Sequence, residues 1–423
     1  MKKLISITLS ALLLLSLTAG CAGGGGAQNQ NAADNNATVT ETAKAPEATA
    51  DTGNETQPDT PAGGNVVKIG VFEPASGDNG AGGKQETLGV QYAHSETPTV
   101  VIGGVEYTVE LEIVDNQSSQ AVAPSAAQTL VAAGCSLILG SYGSGVCIAA
   151  SDVFGDAGMA AIGITCTNPA VTEGNEHYFR ICFLDPFQGT VLANLAQEQF
   201  NAKTAYVLAK QGDDYSVGLS NYFMEAFGPE DCTYEVFPEG TADYSSYVAT
   251  AKANGADVFF SPVSTEAAAL IIDQANTQGL EVPILAGDTW DSNVILNAAQ
   301  GTNVQVYVTT FYQEGGAPEF DSGIKAWINS NATAKANNGG DDKIAAVTAM
   351  GYDAYYLALE ALKKAGSTNP ADILSVLPSL TYTGVSGPIA FDAIGDAIRD
   401  TAYVKVCNNE TGEWEFFAQQ GIN

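Results

Sequence analysis

Two hydroxyl side chains stand directly after apolar strand patterns, where they could contact a small molecule. Ser144 follows the run at 136–140 and precedes a helical pattern at 147–154. A hydroxyl and a backbone N–H at a helix N-terminus suit an anion such as a carboxylate. Thr167 follows the pattern at 160–165, and parallel sheets bind ligands at the carboxyl ends of their strands. Both residues fit a binding site, with a helix-capping serine and a plain turn threonine as the structural alternatives.

Two glycine-rich segments fail the catalytic patterns that they resemble. Residues 80–84 (GAGGK) carry Asp78 and Gln85 where a phosphate-binding loop needs glycine and serine or threonine. In residues 140–145 (GSYGSG), Tyr142 stands where a nucleophile elbow needs its first glycine. The chain has two histidines, too few for a histidine-based metal site, and no nucleophile–base pair stands out. We therefore expect no enzyme, no cofactor and no metal.

The elements that must position these residues alternate along the chain. Alternation of strand and helix indicates right-handed crossovers and parallel sheets covered on both faces. Because the pattern restarts after Asp185, we predict an α/β fold of two doubly wound parallel-sheet lobes. The predicted strands are 66–72, 107–113, 136–140, 160–165, 205–208, 234–236, 258–260, 283–285, 306–308, 388–391, 402–407 and 413–417. The predicted helices are 120–133, 187–200, 216–227, 246–254, 265–278, 293–299, 343–364 and 370–377.

The N-terminal segment has the pattern of a signal peptide. In residues 1–20, two lysines precede a short apolar run, too short to span a membrane, and small residues follow it. Small residues directly before Cys21 resemble a bacterial lipobox, which implies lipidation of Cys21 and an anchor on the extracellular face of the cytoplasmic membrane. An ordinary signal peptide with an incidental cysteine is the alternative. Residues 21–64 carry no aromatic residue and predict a flexible tether spanning roughly 35 Å.

The overall composition and charge of the chain further limit the kind of protein that it can be. A chain of 423 residues with 45% hydrophobic residues suits two lobes of ordinary size. A net charge of −32 argues against nucleic acid and against adhesion to anionic lipid, and favours a solubilising acidic surface. Several cysteines after Cys21 lie in apolar runs and none forms a C-x-x-C pattern, so we predict mostly free thiols. These six cysteines are Cys135, Cys147, Cys166, Cys182, Cys232 and Cys407.

Short segments spread over residues 66–420 resemble the branched-chain amino-acid (leucine/isoleucine/valine) class of solute-binding proteins of ATP-driven importers. In the family's order they are 74–77 (PASG), 140–144 (GSYGS), 163–169 (GITCTNP), Arg180, 185–189 (DPFQG), 211–215 (QGDDY), 287–291 (GDTWD) and 351–354 (GYDA). The resemblance implies the periplasmic binding protein type I fold, whose two lobes joined by three crossings close on a ligand.

The resemblance also implies a zwitterionic ligand and assigns residues to its two ends. Ser144 would receive the carboxylate. Thr167 would serve both ends through its hydroxyl, and the carbonyl of Thr165 would accept from the ammonium. Asp288 matches the family's acidic partner of the ammonium, with Asp291 as the alternative carboxylate. An aspartate facing the first lobe links the lobes only when ligand is bound, which is the differential affinity that drives closure.

Around this clamp the resemblance places the residues that shape the side-chain pocket. Tyr215 matches a tyrosine that covers the ligand, and Trp290 would wall the pocket. A surface loop and lobe packing are their respective alternatives. Gly82 and Val263 stand where leucine-type binders have tyrosines, so we expect a larger or differently shaped pocket that Tyr142 partly refills.

The resulting hypothesis is a monomeric extracellular receptor that captures an amino acid, branched-chain or larger apolar or aromatic, and delivers it to ABC permease subunits. We assign residues 66–185 and 312–380 to lobe 1, and 186–311 and 381–423 to lobe 2. Alternatives with the same fold are a sensory receptor and a binder of an amide, a urea-like molecule or an aromatic acid. Asp288 discriminates between an amino acid and an aromatic acid as the ligand, since its carboxylate would repel an anion that lacks an ammonium group.

Overall fold

The computed structural model describes residues 64–421, which form two α/β lobes. The predicted signal peptide, Cys21 and the tether up to residue 63 lie outside them. The first sheet contains β1 (Val66–Glu73), β2 (Thr99–Ile102), β3 (Val105–Asp115), β4 (Leu137–Leu139), β5 (Ala161–Gly163) and β6 (Tyr178–Arg180). Its order is β2-β3-β1-β4-β5-β6, and every pair is parallel except β2 with β3. Strand β4 is entirely buried, as expected for a parallel sheet covered on both faces.

The second sheet is mixed. The remaining strands are β7 (Ala205–Lys210), β8 (Cys232–Phe237), β9 (Val258–Phe260), β10 (Ile284–Ala286), β11 (Val306–Thr310), β12 (Thr381–Gly384), β13 (Gly387–Ala390), β14 (Thr401–Asn408) and β15 (Glu413–Gly421). Its order is β15-β14-β11-β10-β9-β7-β8, with β7 to β11 parallel and β14 and β15 antiparallel at one edge. Strands β12 and β13 form a separate hairpin. The α/β class and the predicted strands are confirmed.

Helices cover the two sheets. They are α1 (Gly80–Glu96), α2 (Ala123–Ala132), α3 (Ser144–Asp156), α4 (Asp185–Gln199), α5 (Asp214–Phe227), α6 (Ser245–Ala253), α7 (Thr265–Thr277), α8 (Asn293–Ala299), α9 (Pro318–Ser330), α10 (Ala332–Asn337), α11 (Ala346–Ala365) and α12 (Pro370–Val376). In the part of the chain described, no helix is long and apolar enough to cross a membrane. The six cysteines of this part are free thiols, and five of them are buried.

Helix α1 has no counterpart in the sequence prediction, although it carries part of the binding cleft. Its first turn contains three glycines, which are poor helix formers and hide the periodicity. Tertiary packing holds the helix instead, because α1 lies directly against α11. A Cβ at Gly89 would lie 1.9 Å from the backbone oxygen of Thr348, and one at Gly351 would lie 2.1 Å from that of Glu86. The glycines therefore permit the close approach of two backbones.

The chain crosses between the lobes where β6 leads to α4, where β11 leads to α9, and where the β12–β13 hairpin leads to β14. The hairpin stays with the first lobe, since the backbone N–H groups of Val385 and Ser386 donate to Asp353 on α11 at 2.8 Å each. The lobe ranges assigned from the sequence stay a prediction. The contacts of the β12–β13 hairpin favour moving the C-terminal end of lobe 1 from residue 380 to about residue 400.

Candidate ligand-binding site

The carboxylate end of the predicted clamp lies at the start of α3. Ser144 is its first residue and is 2% exposed. Its hydroxyl does not cap the helix; it accepts from the backbone N–H of Asn168 at 3.2 Å, which ties α3 to the loop after β5. Residues 143–146 line the cleft between the lobes, so the free N–H groups of the first helical turn border the cavity. This geometry suits an anionic group.

The loop after β5 supplies the two predicted threonines. Thr167 is fully buried, and its hydroxyl lies beside the Asp185 carboxyl without a well-aligned hydrogen bond to any of the described residues. A buried hydroxyl without a hydrogen-bond partner costs free energy, and a ligand that forms the missing hydrogen bond removes this cost. The Thr165 hydroxyl donates to the Glu86 carboxylate, an interaction that the sequence did not reveal. The hydrogen bond from Asn168 thus holds Ser144 against the loop that carries Thr165 and Thr167.

Asp288 comes from the second lobe, in a short 3-10 helix directly after β10. It is 1% exposed, and its Oδ1 accepts from Gln188 Nε2 at 3.0 Å and from the Tyr215 hydroxyl at 3.2 Å. Its Oδ2 has no partner in the described part of the chain. Tyr215 is the second residue of α5 and lines the same cavity as Ser144.

The two candidate carboxylates differ in their partners: Asp288 forms no ion pair within residues 64–421, whereas Asp291 forms one. Asp291 pairs with Lys405 at 2.9 Å and accepts from the Thr310 hydroxyl. Both partners lie in the second lobe, so this buried pair stabilises that lobe. Asp288 therefore keeps its assignment to the ammonium subsite.

The space that Gly82 leaves open is filled by Tyr142. A Cβ at Gly82 would lie 2.3–2.7 Å from atoms of the Tyr142 ring, so only glycine fits there. The backbone N–H of Tyr142 donates to Glu73 at 2.8 Å, and its hydroxyl crosses the cleft to the carbonyl of Thr289 at 3.0 Å. The Tyr142 ring thus packs against Gly82 and occupies the space beside it.

Two predicted pocket residues are placed in the core of the second lobe. Trp290 is fully buried, and its indole N–H donates to the carbonyl of Val263 at 3.0 Å. Both residues belong to the apolar cluster that contains Tyr206 and Phe259. The structure therefore places Trp290 and Val263 in the packed core of the second lobe, and like Asp288 and Thr167 they are not among the residues that line the cavity beside Ser144.

Several cross-lobe contacts were absent from the sequence analysis. Gln85 on α1 donates to Asn293 at 3.2 Å and accepts from the Ser292 hydroxyl at 3.1 Å. At the rim, Lys210 pairs with Asp78 at 2.5 Å. The lobes are thus closed on each other. The only sequence signal was the polar pair at positions 85 and 86 beside the glycine-rich segment.

The cleft is strongly acidic. Four buried carboxyl groups lie in or near it, and none forms an ion pair within residues 64–421; they are Glu73, Glu86, Asp185 and Asp288. The two buried basic side chains of this part are engaged elsewhere, Arg180 with Asp396 and Lys405 with Asp291. Burial raises the pKa of Asp288 to about 7 and the pKa values of Glu86 and Asp185 to about 8. The site is suited to a cation.

These raised pKa values predict how the free energy of unfolding depends on pH. Unfolded carboxyls ionise near pH 4, whereas Asp288, Glu86 and Asp185 keep their protons up to pH 7–8 when folded. The folded state then binds more protons, so stability without ligand falls as pH rises from about 5 to 8. Calorimetric melting over this range should show a falling Tm, and a smaller fall in D288N. A Tm that is constant or rising between pH 6 and 8 would contradict this.

A comparison with known families decides what kind of protein carries this cleft. The family described as "Periplasmic binding protein" matches residues 66–411, nearly all of both lobes. The chain belongs to the periplasmic binding protein family. The type I fold of these binding proteins, expected from the resemblance, is confirmed, and the family is one of binding proteins rather than enzymes.

Individual relatives of this periplasmic binding protein agree with the resemblance to the branched-chain amino-acid class. A Leu/Ile/Val-binding protein homolog of Brucella melitensis is 29% identical over 337 residues, covering 78% of this chain and 87% of the relative. The leucine binding protein LivK of Thermotoga maritima superposes with a TM-score of 0.74 at 30% identity, covering 84% of this chain and 99% of its own. LivJ of Streptococcus pneumoniae, solved with isoleucine, gives 0.73 at 25% identity, covering 85% and 99%.

Proposed function

We propose that this protein is a receptor that captures an amino acid between its two lobes. The ligand carboxylate binds at the start of α3 beside Ser144, and the ammonium binds Asp288, the carbonyl of Thr165 and the hydroxyl of Thr167. The observation that carries the proposal is the Asp288 carboxyl, which is buried in the closed cleft and, among residues 64–421, has one oxygen unpartnered and no ion pair. A carboxyl so placed either holds a proton or, when ionised, needs a positively charged partner such as a ligand ammonium.

The same observation weighs against a ligand without an amino group. An aromatic acid would bring a second anion next to Asp288, and its repulsion would oppose closure. An amide or a urea-like molecule would leave the charge of Asp288 uncompensated. The amino acid therefore remains the favoured ligand, and leucine- and isoleucine-binding relatives support the same class.

We further propose that the protein delivers its ligand to separate ABC permease subunits and acts as a monomer. LivJ, a relative at 25% identity, is a substrate-binding protein of a branched-chain amino acid transporter, which supports this role. Lipidation at Cys21 would hold the receptor on the extracellular face of the membrane. A tether raises the local concentration of receptor near its permease, as with linked binding modules.

A thermal-shift screen of the mature chain against the twenty amino acids tests this function. At one hundred times its Kd, a ligand stabilises the folded state by about 2.7 kcal/mol, which gives a clear rise in Tm. We expect at least one amino acid to raise Tm and its des-amino analogue to raise it much less. If no amino acid shifts Tm, the proposed function is wrong.

A further inference from the structure

Glu86 contributes a second carboxylate to the cleft, from the lobe opposite Asp288. It lies on α1 and has no exposed surface. One of its oxygens accepts from the hydroxyl of Thr165, whose carbonyl belongs to the proposed ammonium subsite. The other oxygen receives no hydrogen bond from a nitrogen or hydroxyl donor of residues 64–421, but it lies beside the carboxyl of Glu73, which can donate to it when protonated.

No basic side chain of residues 64–421 forms an ion pair with Glu86, and several acidic groups lie near it. Glu73 at the end of β1 lies beside it, Cys147 approaches from α3, and Asp288 acts on it from the second lobe. Burial holds the pKa of Glu73 well above its usual range, and the neighbouring carboxyl of Glu86 raises that pKa further. Glu73 also has a structural task, since it accepts from the backbone N–H of Tyr142. Glu86 has no such backbone partner.

We propose that Glu86 and Asp288 form a two-carboxylate subsite that holds the ligand ammonium from both lobes. This inference rests on the proposed amino-acid function and adds a residue to its site. Two observations on residues 64–421 support it: the Oδ2 of Asp288 has no hydrogen-bond partner, and Glu86 accepts from Thr165, two residues before the buried hydroxyl of Thr167. An ammonium has three N–H donors and can serve Glu86, Asp288 and the carbonyl of Thr165 together.

The arrangement also explains how a ligand would favour closure. Without a cation, closing the cleft brings two carboxyls together in a buried space, which either repel or must take up protons. A bound ammonium removes this cost in the closed state alone. The ligand then binds the closed state more tightly than the open one, as a population shift requires. Glu86 acts here as a binding and positioning residue.

Isothermal titration of the wild type and of E86Q with the amino acid found in the screen tests the proposal. Glutamine keeps an acceptor for Thr165 but removes the charge, so we expect affinity to fall about tenfold or more. Titrations in two buffers of different ionisation enthalpy should show fewer protons released on binding by E86Q. The preference for the amino acid over its 2-hydroxy analogue should shrink by a similar factor. A purely structural role would leave both readouts unchanged.

Glu96→Gln is the matched control, because Glu96 lies on the same helix and accepts from Tyr92 and Tyr352 at the far end. It should bind like the wild type. If E86Q binds within twofold of the wild type with the same proton release, the Glu86 assignment is wrong while the proposed function stands. If the wild type binds no amino acid, both are wrong. If E86Q does not fold, Glu86→Asp is titrated instead. We expect this variant to bind the amino acid about fivefold more weakly, and an unchanged affinity would overturn the proposal.

Discussion

Replacing Asp288 with alanine is expected to weaken binding of the captured amino acid by about thirtyfold to several thousandfold. Removing one member of a buried, hydrogen-bonded charge pair costs about 2–5 kcal/mol, because the other charge stays buried without a partner. Asp288 receives hydrogen bonds from Gln188 and Tyr215 on one oxygen, so its geometry is held before the ligand arrives. Isothermal titration measures the change directly.

Two controls make the Asp288 result specific. Asp273→Asn alters an exposed aspartate on α7 and should leave affinity unchanged. D288N keeps the size of the side chain and should lose most of the affinity, since the charge is what the ammonium needs. An affinity of D288A within threefold of the wild type would show that the ammonium binds elsewhere.

Replacing Arg180 with methionine is expected to lower the free energy of unfolding by about 3–5 kcal/mol, because Asp396 is left buried without its partner. Arg180 is fully buried and pairs with Asp396 at 2.5 Å. It also donates to the carbonyls of Cys166 at 2.9 Å and Asn168 at 2.5 Å, which flank Thr167. Urea unfolding should show the loss, and ligand affinity should fall with it.

The matched control for Arg180 is Lys363→Met. Lys363 pairs with Glu360 at 2.8 Å on the surface of α11, where both side chains are almost half exposed. Exposed ion pairs contribute about 0–1 kcal/mol, so this variant should be nearly as stable as the wild type. Equal losses in both variants would mean that Arg180 does not anchor the loop that carries Thr165 and Thr167.

Local sequence patterns were sufficient for much of the fold and for part of the site. Runs such as 258–260 and 306–308 identified buried strands because apolar periodicity is a property of neighbouring residues. Ser144 and Asp288 could be placed because each directly follows such a strand. Their assignment to the two ends of the clamp came from the resemblance to the branched-chain amino-acid class of binding proteins.

The remaining features depended on residues far apart in the chain. The glycines of α1 kept this helix, and with it Gln85 and Glu86, out of the sequence prediction. The helix is held by packing against α11, which lies far along the chain and leaves no local sequence pattern. Trp290 is expected from the sequence to wall the pocket but packs in the lobe core, where its indole N–H donates to the carbonyl of Val263. Sequence patterns alone do not distinguish a buried core aromatic from a pocket aromatic.

The sequence by itself determined the alternation of strands and helices, the two lobes, and a hydroxyl and a carboxylate at strand ends, since these follow from local period and residue type. Only the tertiary structure decided which carboxyls are buried without a cation and which residues meet across the cleft. Gln85 and Asn293 meet there although 208 positions separate them. Burial and charge pairing are set by such distant neighbours, and they turn Glu86 from one of many acidic residues into a candidate partner of the ligand.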